Sequence, residues 1–193
     1  NEAVAYAYYV IFVVPSAFLS KELESLTESL EGKIIFSAIK GIVPESSLIV
    51  GEHFHTKYDI PFENIGVITG PCHAEEVAME RLSYLTIACS DRKKAKYVAK
   101  NLSSHYIKAK TTDDIIGTEY AAVLKNIYAV ASGICHGLGY GDNFQAVLIS
   151  NAIREIKDFV DAVHPIDRDI KESAYLGDLL VTAYSQFSRN RTF

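Results

Sequence analysis

The stretch YVIFVVPS, residues 9–16, decides the class of fold that the sequence predicts. Its β-branched and aromatic residues favour a strand that is buried on both faces, as in the middle of a parallel sheet. An amphipathic helix is predicted next, over residues 17–30, because leucines recur there at helical spacing. Residues 3–19 carry no charge, but Pro15 interrupts this run and no basic residue precedes it. We therefore predict a central parallel strand, and neither a membrane span nor a signal peptide.

Strands and helices alternate from this stretch to about residue 110. The alternation predicts an α/β layer with a largely parallel sheet. A loop that contains Pro44 and Pro61 interrupts the pattern. The further predicted strands are KIIFSAIKG (33–41), IGVITGP (65–71), LSYLTIACS (82–90) and HYIKAK (105–110), with helices near His73 and at DRKKAKYVAKNL (91–102).

The second part of the chain shows helical periodicity and no convincing strand. We predict a partial dinucleotide-binding α/β domain over residues 1–113 and an all-α domain over residues 114–193. The sheet domain is expected to be an incomplete Rossmann-like fold, because no Gly-rich phosphate-binding turn follows an early strand. The predicted helices of the second domain are Gly117 to Cys135, Asn143 to His164, Ile166 to Ser173, and one from Gly177 onward.

Composition excludes several classes of partner. The 193 residues carry a formal net charge of −5, which argues against nucleic acid but allows a small phosphorylated ligand. Cys72, Cys89 and Cys135 are sparse and odd in number. We therefore expect free thiols in a reducing compartment, with neither a disulfide framework nor a metal site.

The glycine-rich stretch GLGYGDN, residues 137–143, superficially resembles a dinucleotide fingerprint. That motif requires a preceding strand and the spacing G-x-G-x-x-G, whereas here a helix precedes and the spacing is G-x-G-x-G. We interpret it as a helix end and a turn, with Asp142 or Asn143 capping the next helix.

Two stretches of the predicted sheet domain could bind an anion. Lys40 ends a strand, where ligands of open α/β sheets bind, although a solvated lysine is the simpler explanation. GPCHAEE, residues 70–76, follows the next strand and opens a helix whose first N–H groups could bind an anion. Gly70 allows a close backbone approach there. An ordinary βα loop explains this stretch equally well.

The helix YAAVLKNIYAVAS, residues 120–132, places Lys125 among alanines. A buried lysine needs a partner or a lowered pKa, and either is typical of a catalytic lysine, whereas a lysine that reaches solvent needs neither. Asp178 and Thr182 share one face of the last helix, and Asp178 is a possible counter-ion for Lys125. The stretch SRNR, residues 188–191, either binds a phosphate or is an ordinary basic tail.

Six stretches, taken in order, resemble the NAD(P)-dependent glycerol-3-phosphate dehydrogenases of bacterial type. The resemblance covers essentially the whole chain, and its last three stretches are the specific ones. We expect a fragment of such an enzyme, one that lacks the family's N-terminal Gly-rich turn and its C-terminal end. The matching stretches are VIFVVPS, the lysine of IKG, GPCHAEE, GTEYAAVLKNIYAVASG, GLGYGDN and LGDLLVTAYSQFSRNRTF.

The resemblance implies reversible reduction of dihydroxyacetone phosphate to sn-glycerol 3-phosphate with NAD or NADP, which feeds glycerophospholipid synthesis. Lys125 would be the general acid at the C2 oxygen, Asn126 would orient the site, and Asp178 would position Lys125 or a substrate hydroxyl. Cys72 departs from the family, which usually has a hydroxyl residue there. The other implied substrate contacts are Lys40, Gly70, Cys72, Thr182, Ser188, Arg189 and Asn190, and the implied cofactor contacts are Lys40, Ala74 and Arg189.

Two alternatives stay open at this point. One is a related β-hydroxyacid or 6-phosphogluconate type dehydrogenase, and the other is a non-catalytic helical oligomerisation module. The adjacent Lys125 and Asn126 and the SRNR cluster favour the glycerol-phosphate enzyme. We also expect a cytoplasmic location, and the sequence leaves a homodimer open.

Overall fold

The computed structural model describes residues 1–185 and 187–191. Seven strands occur in this part of the chain, all before residue 113. Two short ones, β3 (Ile42–Val43) and β4 (Leu48–Ile49), form a separate antiparallel pair. The other five are β1 (Tyr9–Phe12), β2 (Ile34–Ser37), β5 (Ile65–Thr69), β6 (Ser83–Cys89) and β7 (Ile107–Thr112).

The five longer strands form one sheet in the order β1-β2-β5-β6-β7. The pairs β1–β2, β2–β5 and β6–β7 are parallel, as predicted, but β5 and β6 run antiparallel. Residues 70–82, which join β5 to β6, contain only one five-residue helix. So short a helix does not cover the sheet as the helix of a parallel crossover does, and the chain returns antiparallel.

Among the described residues β1 does not hold the central position that was predicted for it. In the described part of the chain β1 pairs only with β2 and lies at an edge of the sheet. The side chain of Ile11 is 42% exposed, and Tyr9, Val10 and Phe12 are only half-buried. An apolar β-branched run can form either a central strand or an edge strand, so the sequence pattern could not distinguish these two positions.

Eight α-helices occur among the described residues. The first five connect or flank the strands, two of them being only five residues long, and the last three build the helical domain. No strand follows residue 112 in the described part. The helices are α1 (Glu2–Tyr6), α2 (Ser16–Glu24), α3 (Val50–Tyr58), α4 (Ala74–Ala78), α5 (Arg92–Leu102), α6 (Ile115–Gly137), α7 (Asp142–Val163) and α8 (Asp178–Tyr184).

Several helix predictions need correction. The helix predicted over residues 17–30 ends at Glu24, and the predicted loop that contains Pro44 and Pro61 holds α3. No helix spans residues 166–173; a π-helical turn, Ser173–Gly177, leads into α8 instead. The segment GLGYGDN is a helix end and turn as interpreted, but neither predicted side chain caps α7, whose N-cap is Gly141.

Local capping explains where the helices that hold the site begin. The Asp114 carboxylate accepts a hydrogen bond from the Gly117 amide at 2.9 Å, which satisfies a free N–H of α6. Helix α3 is capped from a distance, because a side-chain oxygen of Glu119 in α6 accepts a hydrogen bond from the Gly51 amide at 2.9 Å. The start of α6 thus contacts the sheet domain directly. The predicted division at residues 113 and 114 stays a prediction.

The buried core has two layers on the sheet and one between the helices. Ile35 of β2 packs with α2 and α3, whereas its neighbour Phe36 packs on the opposite face with α5. This alternation is the ordinary consequence of strand geometry. A third cluster joins α6, α7 and α8 through Ile156, Leu179 and their neighbours. None of the helices in the described part is long and apolar enough to cross a membrane.

Candidate active site

Lys125 and Asp178 form a buried ion pair between two helices. Lys125 lies in the middle of α6, and Asp178 is the first residue of α8. The Lys125 Nζ atom is 2.5 Å from Asp178 Oδ2, and the two side chains are 5% and 3% exposed. The structure therefore brings together the lysine and the counter-ion that the sequence suggested. A buried charge without a partner is costly, and this pairing offsets part of that cost.

The surroundings of Lys125 lower the pKa of its ammonium to about 8. Burial is the largest cause, because it disfavours the charged form. The Asp178 carboxylate acts in the opposite direction, and the nearby Lys40 ammonium lowers the pKa further. A lysine whose pKa lies this close to neutrality can donate or accept a proton under ordinary conditions.

Two threonines surround the carboxylate partner. Thr69, the last residue of β5, donates a hydrogen bond from its hydroxyl to Asp178 Oδ2 at 3.4 Å. Thr182 lies beside Asp178 on α8, and its hydroxyl donates to the Asp178 backbone carbonyl at 2.6 Å. Thr182 was predicted here and Thr69 was not. A polar residue at the carboxyl end of an otherwise apolar buried strand was the available signal for Thr69.

The carboxyl ends of β2 and β5 form a second wall of the cleft that lies beside Lys125. Lys40 follows β2 and is exposed to the cleft, while Cys72 and Ala74 follow β5. Cys72 is a free half-buried thiol, and burial raises its pKa. Gly70 does not line the cleft, but its φ of +111° and the 2.8 Å that would separate a Cβ from the Tyr84 carbonyl oxygen both require glycine.

A third wall comes from the segment after α8. The Asn190 side-chain amide donates to the Asn126 side-chain oxygen at 2.8 Å, which ties this segment to α6 next to Lys125. Ser188 is buried and Arg189 is exposed. All three walls meet in one cleft of about 770 Å³. Its lining contains nine of the eleven residues predicted for the site: Lys40, Cys72, Ala74, Lys125, Asn126, Thr182, Ser188, Arg189 and Asn190.

A buried hydrogen-bond network of Ser132 and Gln145, which the sequence analysis did not predict, fixes the end of α8. The Ser132 hydroxyl donates to Gln145 Oε1 at 2.8 Å and approaches the Ala183 carbonyl at 3.2 Å. The Gln145 amide donates back to the Ser132 carbonyl at 3.0 Å. These contacts connect α6, α7 and α8 just before residues 187–191. Their signal in the sequence was weak, because serine and glutamine are common on solvated helix faces.

A second network of this kind surrounds Asp114. Its carboxylate accepts hydrogen bonds from Arg168 Nε at 2.8 Å and from the Tyr175 hydroxyl. These bonds outweigh burial and lower the pKa of Asp114. Because Tyr175 lies in the turn that precedes Asp178, this network joins the start of α6 to the start of α8.

The fold and the site together define a class by structure: an open α/β sheet precedes a helical domain, and a buried lysine–aspartate pair lies between two helices of that domain. The family follows from comparison with known proteins. The N-terminal model of NAD-dependent glycerol-3-phosphate dehydrogenase matches residues 1–95, and the C-terminal model matches residues 114–193. The chain belongs to the NAD-dependent glycerol-3-phosphate dehydrogenase family.

Individual relatives agree with this assignment. The glycerol-3-phosphate dehydrogenase [NAD(P)+] of Streptococcus pneumoniae is 38% identical over 188 residues, which are 94% of this chain and 54% of the relative. The enzyme of the same name from Streptococcus suis is 37% identical over 185 residues, with the same coverage. The chain thus spans about half the length of the curated relatives it matches.

Solved structures agree on the fold. The glycerol-3-phosphate dehydrogenase of Coxiella burnetii superposes with a TM-score of 0.88 at 28% identity, over 98% of this chain and 58% of that one. A structure titled DsGPDH of Dunaliella salina superposes with a TM-score of 0.87, also at 28% identity, over 98% of this chain and 33% of that one. Membership of the glycerol-3-phosphate family decides against the related β-hydroxyacid and 6-phosphogluconate alternative.

Proposed function

We propose that the protein containing this chain interconverts dihydroxyacetone phosphate and sn-glycerol 3-phosphate with NAD or NADP. The observation that carries the proposal is the buried Lys125–Asp178 pair, whose lysine lines the same cleft as Arg189 and Asn190. The family membership of the chain supports the same reaction. Its product would feed glycerophospholipid synthesis.

In this proposal Lys125 handles the proton of the reaction. When bound, the cofactor supplies the hydride to C2 of dihydroxyacetone phosphate or accepts it from C2 of glycerol 3-phosphate. The protonated Lys125 donates its Nζ proton to the C2 oxygen during reduction, and the neutral lysine removes the hydroxyl proton during oxidation. Asp178 holds the ammonium in place through their 2.5 Å contact.

Asn126 and the segment after α8 would bind the other end of the substrate. The Arg189 guanidinium suits a phosphate because its planar N–H groups can donate two parallel hydrogen bonds. Ser188 and Asn190 flank it and add shorter donors. The contact between Asn190 and Asn126 keeps these donors beside Lys125. We infer that the phosphate lies between Arg189 and Asn190 and that the C2 oxygen points to Lys125.

The sheet side of the cleft would receive the cofactor. Lys40 and Ala74 lie near the carboxyl ends of β2 and β5, where ligands of open α/β sheets bind, and Arg189 lines the same cleft. Gly70 and Cys72 belong to the same wall, and we propose that they contact the substrate. The Cys72 thiol is a weaker hydrogen-bond donor than a hydroxyl. These features fit a nicotinamide ring near Lys125.

A spectrophotometric assay of the full-length protein tests the proposal. The absorbance of NADH and of NADPH is followed with dihydroxyacetone phosphate and, as a control, with unphosphorylated dihydroxyacetone. We expect oxidation of at least one cofactor with the phosphorylated substrate and formation of sn-glycerol 3-phosphate. No oxidation of either cofactor would reject the reaction and favour the non-catalytic oligomerisation module.

The location and assembly of the protein are part of the same proposal. Cys72, Cys89 and Cys135 are all free thiols, which supports a reducing compartment such as the cytoplasm. A homodimer stays a prediction, which light scattering of the purified protein would test.

A further inference from the structure

Gly133 of α6 lies directly under the backbone of the segment that follows α8. A Cβ atom at Gly133 would lie 3.0 Å from the carbonyl carbon of Arg191, 3.2 Å from its Cα, and closer still to its carbonyl oxygen. Real Cβ atoms do not approach backbone atoms so closely, so a side chain here would force the two segments apart. Gly137, one turn later on the same helix, has no atom within 4 Å of the equivalent position.

Residues 187–191 contact α6 through Asn190 and through Arg191. Asn190 donates to Asn126, and the Arg191 backbone touches Gly133. Asn126 and Gly133 are seven residues apart, which is about two helical turns, so they share one face of α6.

Two tight turns follow α8 and lead to these contacts. The Ser188 amide donates to the Ser185 carbonyl at 3.1 Å, and the Arg191 amide donates to the Ser188 carbonyl at 3.2 Å. Because the second turn encloses Arg189 and Asn190, a shift of the Arg191 backbone would move both residues. The position of Arg189 in the cleft therefore depends on how closely Arg191 approaches α6.

We propose that Gly133 is a positioning residue for the phosphate-binding segment, and this inference rests on the proposed function. Its lack of a side chain lets the Arg191 backbone lie against α6, which aims Arg189 and Asn190 into the cleft. Gly133 itself contacts neither substrate nor cofactor. Its effect is transmitted through the backbone of residues 188–191.

Steady-state kinetics of the full-length protein test this with a matched pair of variants, Gly133→Ala and Gly137→Ala. Both replace a glycine of α6 by alanine, but only the first introduces a clash. We expect Gly133→Ala to raise the KM for dihydroxyacetone phosphate by about tenfold or more, since small misplacements of binding groups are costly. The kcat for dihydroxyacetone phosphate should change much less than the KM in Gly133→Ala, and both constants should stay near the parental values in Gly137→Ala. Equal KM values for the two variants would overturn the proposal.

Hydrogen exchange separates this inference from the proposed function. Amide exchange of residues 187–191 should be faster in Gly133→Ala than in the parent and unchanged in Gly137→Ala. This measurement needs no turnover, so it holds even if the parent protein does not reduce dihydroxyacetone phosphate. Unchanged exchange in Gly133→Ala would overturn the positioning role. A Gly133→Ala protein that fails to fold, as judged by circular dichroism, would also overturn it and assign Gly133 to folding.

Discussion

Asn190 and Asn126 are 64 residues apart in the chain, yet the amide of Asn190 donates a hydrogen bond to the side-chain oxygen of Asn126 at 2.8 Å. Asn126 directly follows Lys125, and Asn190 directly follows Arg189. The bond therefore sets the proposed phosphate-binding arginine beside the proposed proton donor.

Replacing Arg189 by alanine should chiefly weaken binding of the phosphorylated substrate. Hydrogen bonds to charged groups contribute about 1.5–3 kcal/mol, so KM should rise roughly ten- to a hundredfold. Steady-state kinetics with dihydroxyacetone phosphate measure this, and Arg154→Ala, on the exposed face of α7, is the control. Unchanged KM and kcat would remove Arg189 from the phosphate site.

Replacing Lys125 by alanine should abolish most turnover while the cofactor still binds. General acid–base groups typically contribute about a hundredfold to ten-thousandfold to the rate, and kcat should fall by a factor in that range. The rate of NADH or NADPH oxidation at saturating dihydroxyacetone phosphate measures kcat, and fluorescence titration measures cofactor affinity. Lys96→Ala on α5 is the matched control, because that lysine is exposed. A variant with parental kcat would contradict the assignment of the general acid.

The Lys125–Asp178 pair should show strong coupling in stability. Lys125→Met leaves the Asp178 carboxylate buried without its cation, which costs about 3–5 kcal/mol of unfolding free energy. Adding Asp178→Leu should recover much of this loss, because an apolar pair of similar volume needs no counter-charge. Urea unfolding of the parent, both single variants and the double variant measures the coupling. Additive effects would show that the two side chains are independent.

The two directions of the reaction should respond oppositely to pH. Reduction needs the protonated lysine, so its kcat/KM should fall as the pH rises above about 8, the pKa of Lys125. Oxidation of glycerol 3-phosphate needs the neutral lysine and should rise over the same interval. Burial of Lys125 is the main cause of the low pKa. Profiles in both directions measure this, and a parallel change in the two would contradict the role.

Glu119 should make the protein less stable as the pH rises from 4.5 toward 8. Burial raises the pKa of this carboxyl from 4.5 to about 8, so the folded chain holds a proton that the unfolded chain has released. The stability linked to that proton is complete below 4.5 and is lost as the pH rises through 8. Glu119→Gln should remove this dependence from unfolding curves, whereas Glu22→Gln, at an exposed site, should keep it. An unchanged pH dependence in Glu119→Gln would contradict the shift.

The sequence predicts those parts of the fold and site that depend on local pattern. Strands β2, β5, β6 and β7 and helices α5, α6 and α7 follow from apolar periodicity, whereas Asp178 was only a possible partner for Lys125, suggested because a buried lysine needs a counter-charge. Helix α3 was missed because its cap is supplied by Glu119, far along the chain. The edge position of β1 depends on which strands pair with it, which composition does not record.

The remaining site residues were missed for a related reason. Gly133 becomes special only because the backbone of Arg191, 58 residues later, lies against it. Thr69 matters only because Asp178 reaches the end of β5. In each case the deciding partner is distant in sequence, and the residue itself does not identify that partner.

The Asp114 network has a consequence for the alignment of α6 with α8. Asp114 binds Arg168 and Tyr175 at the start of α6, and Lys125 binds Asp178 eleven residues, or roughly 16 Å, further along that helix. A sliding movement of one helix past the other would have to break both sets of contacts together. The two carboxylates therefore fix α6 and α8 in one longitudinal register. A substitution of Asp114 would consequently misalign Lys125, although the two residues are not in contact.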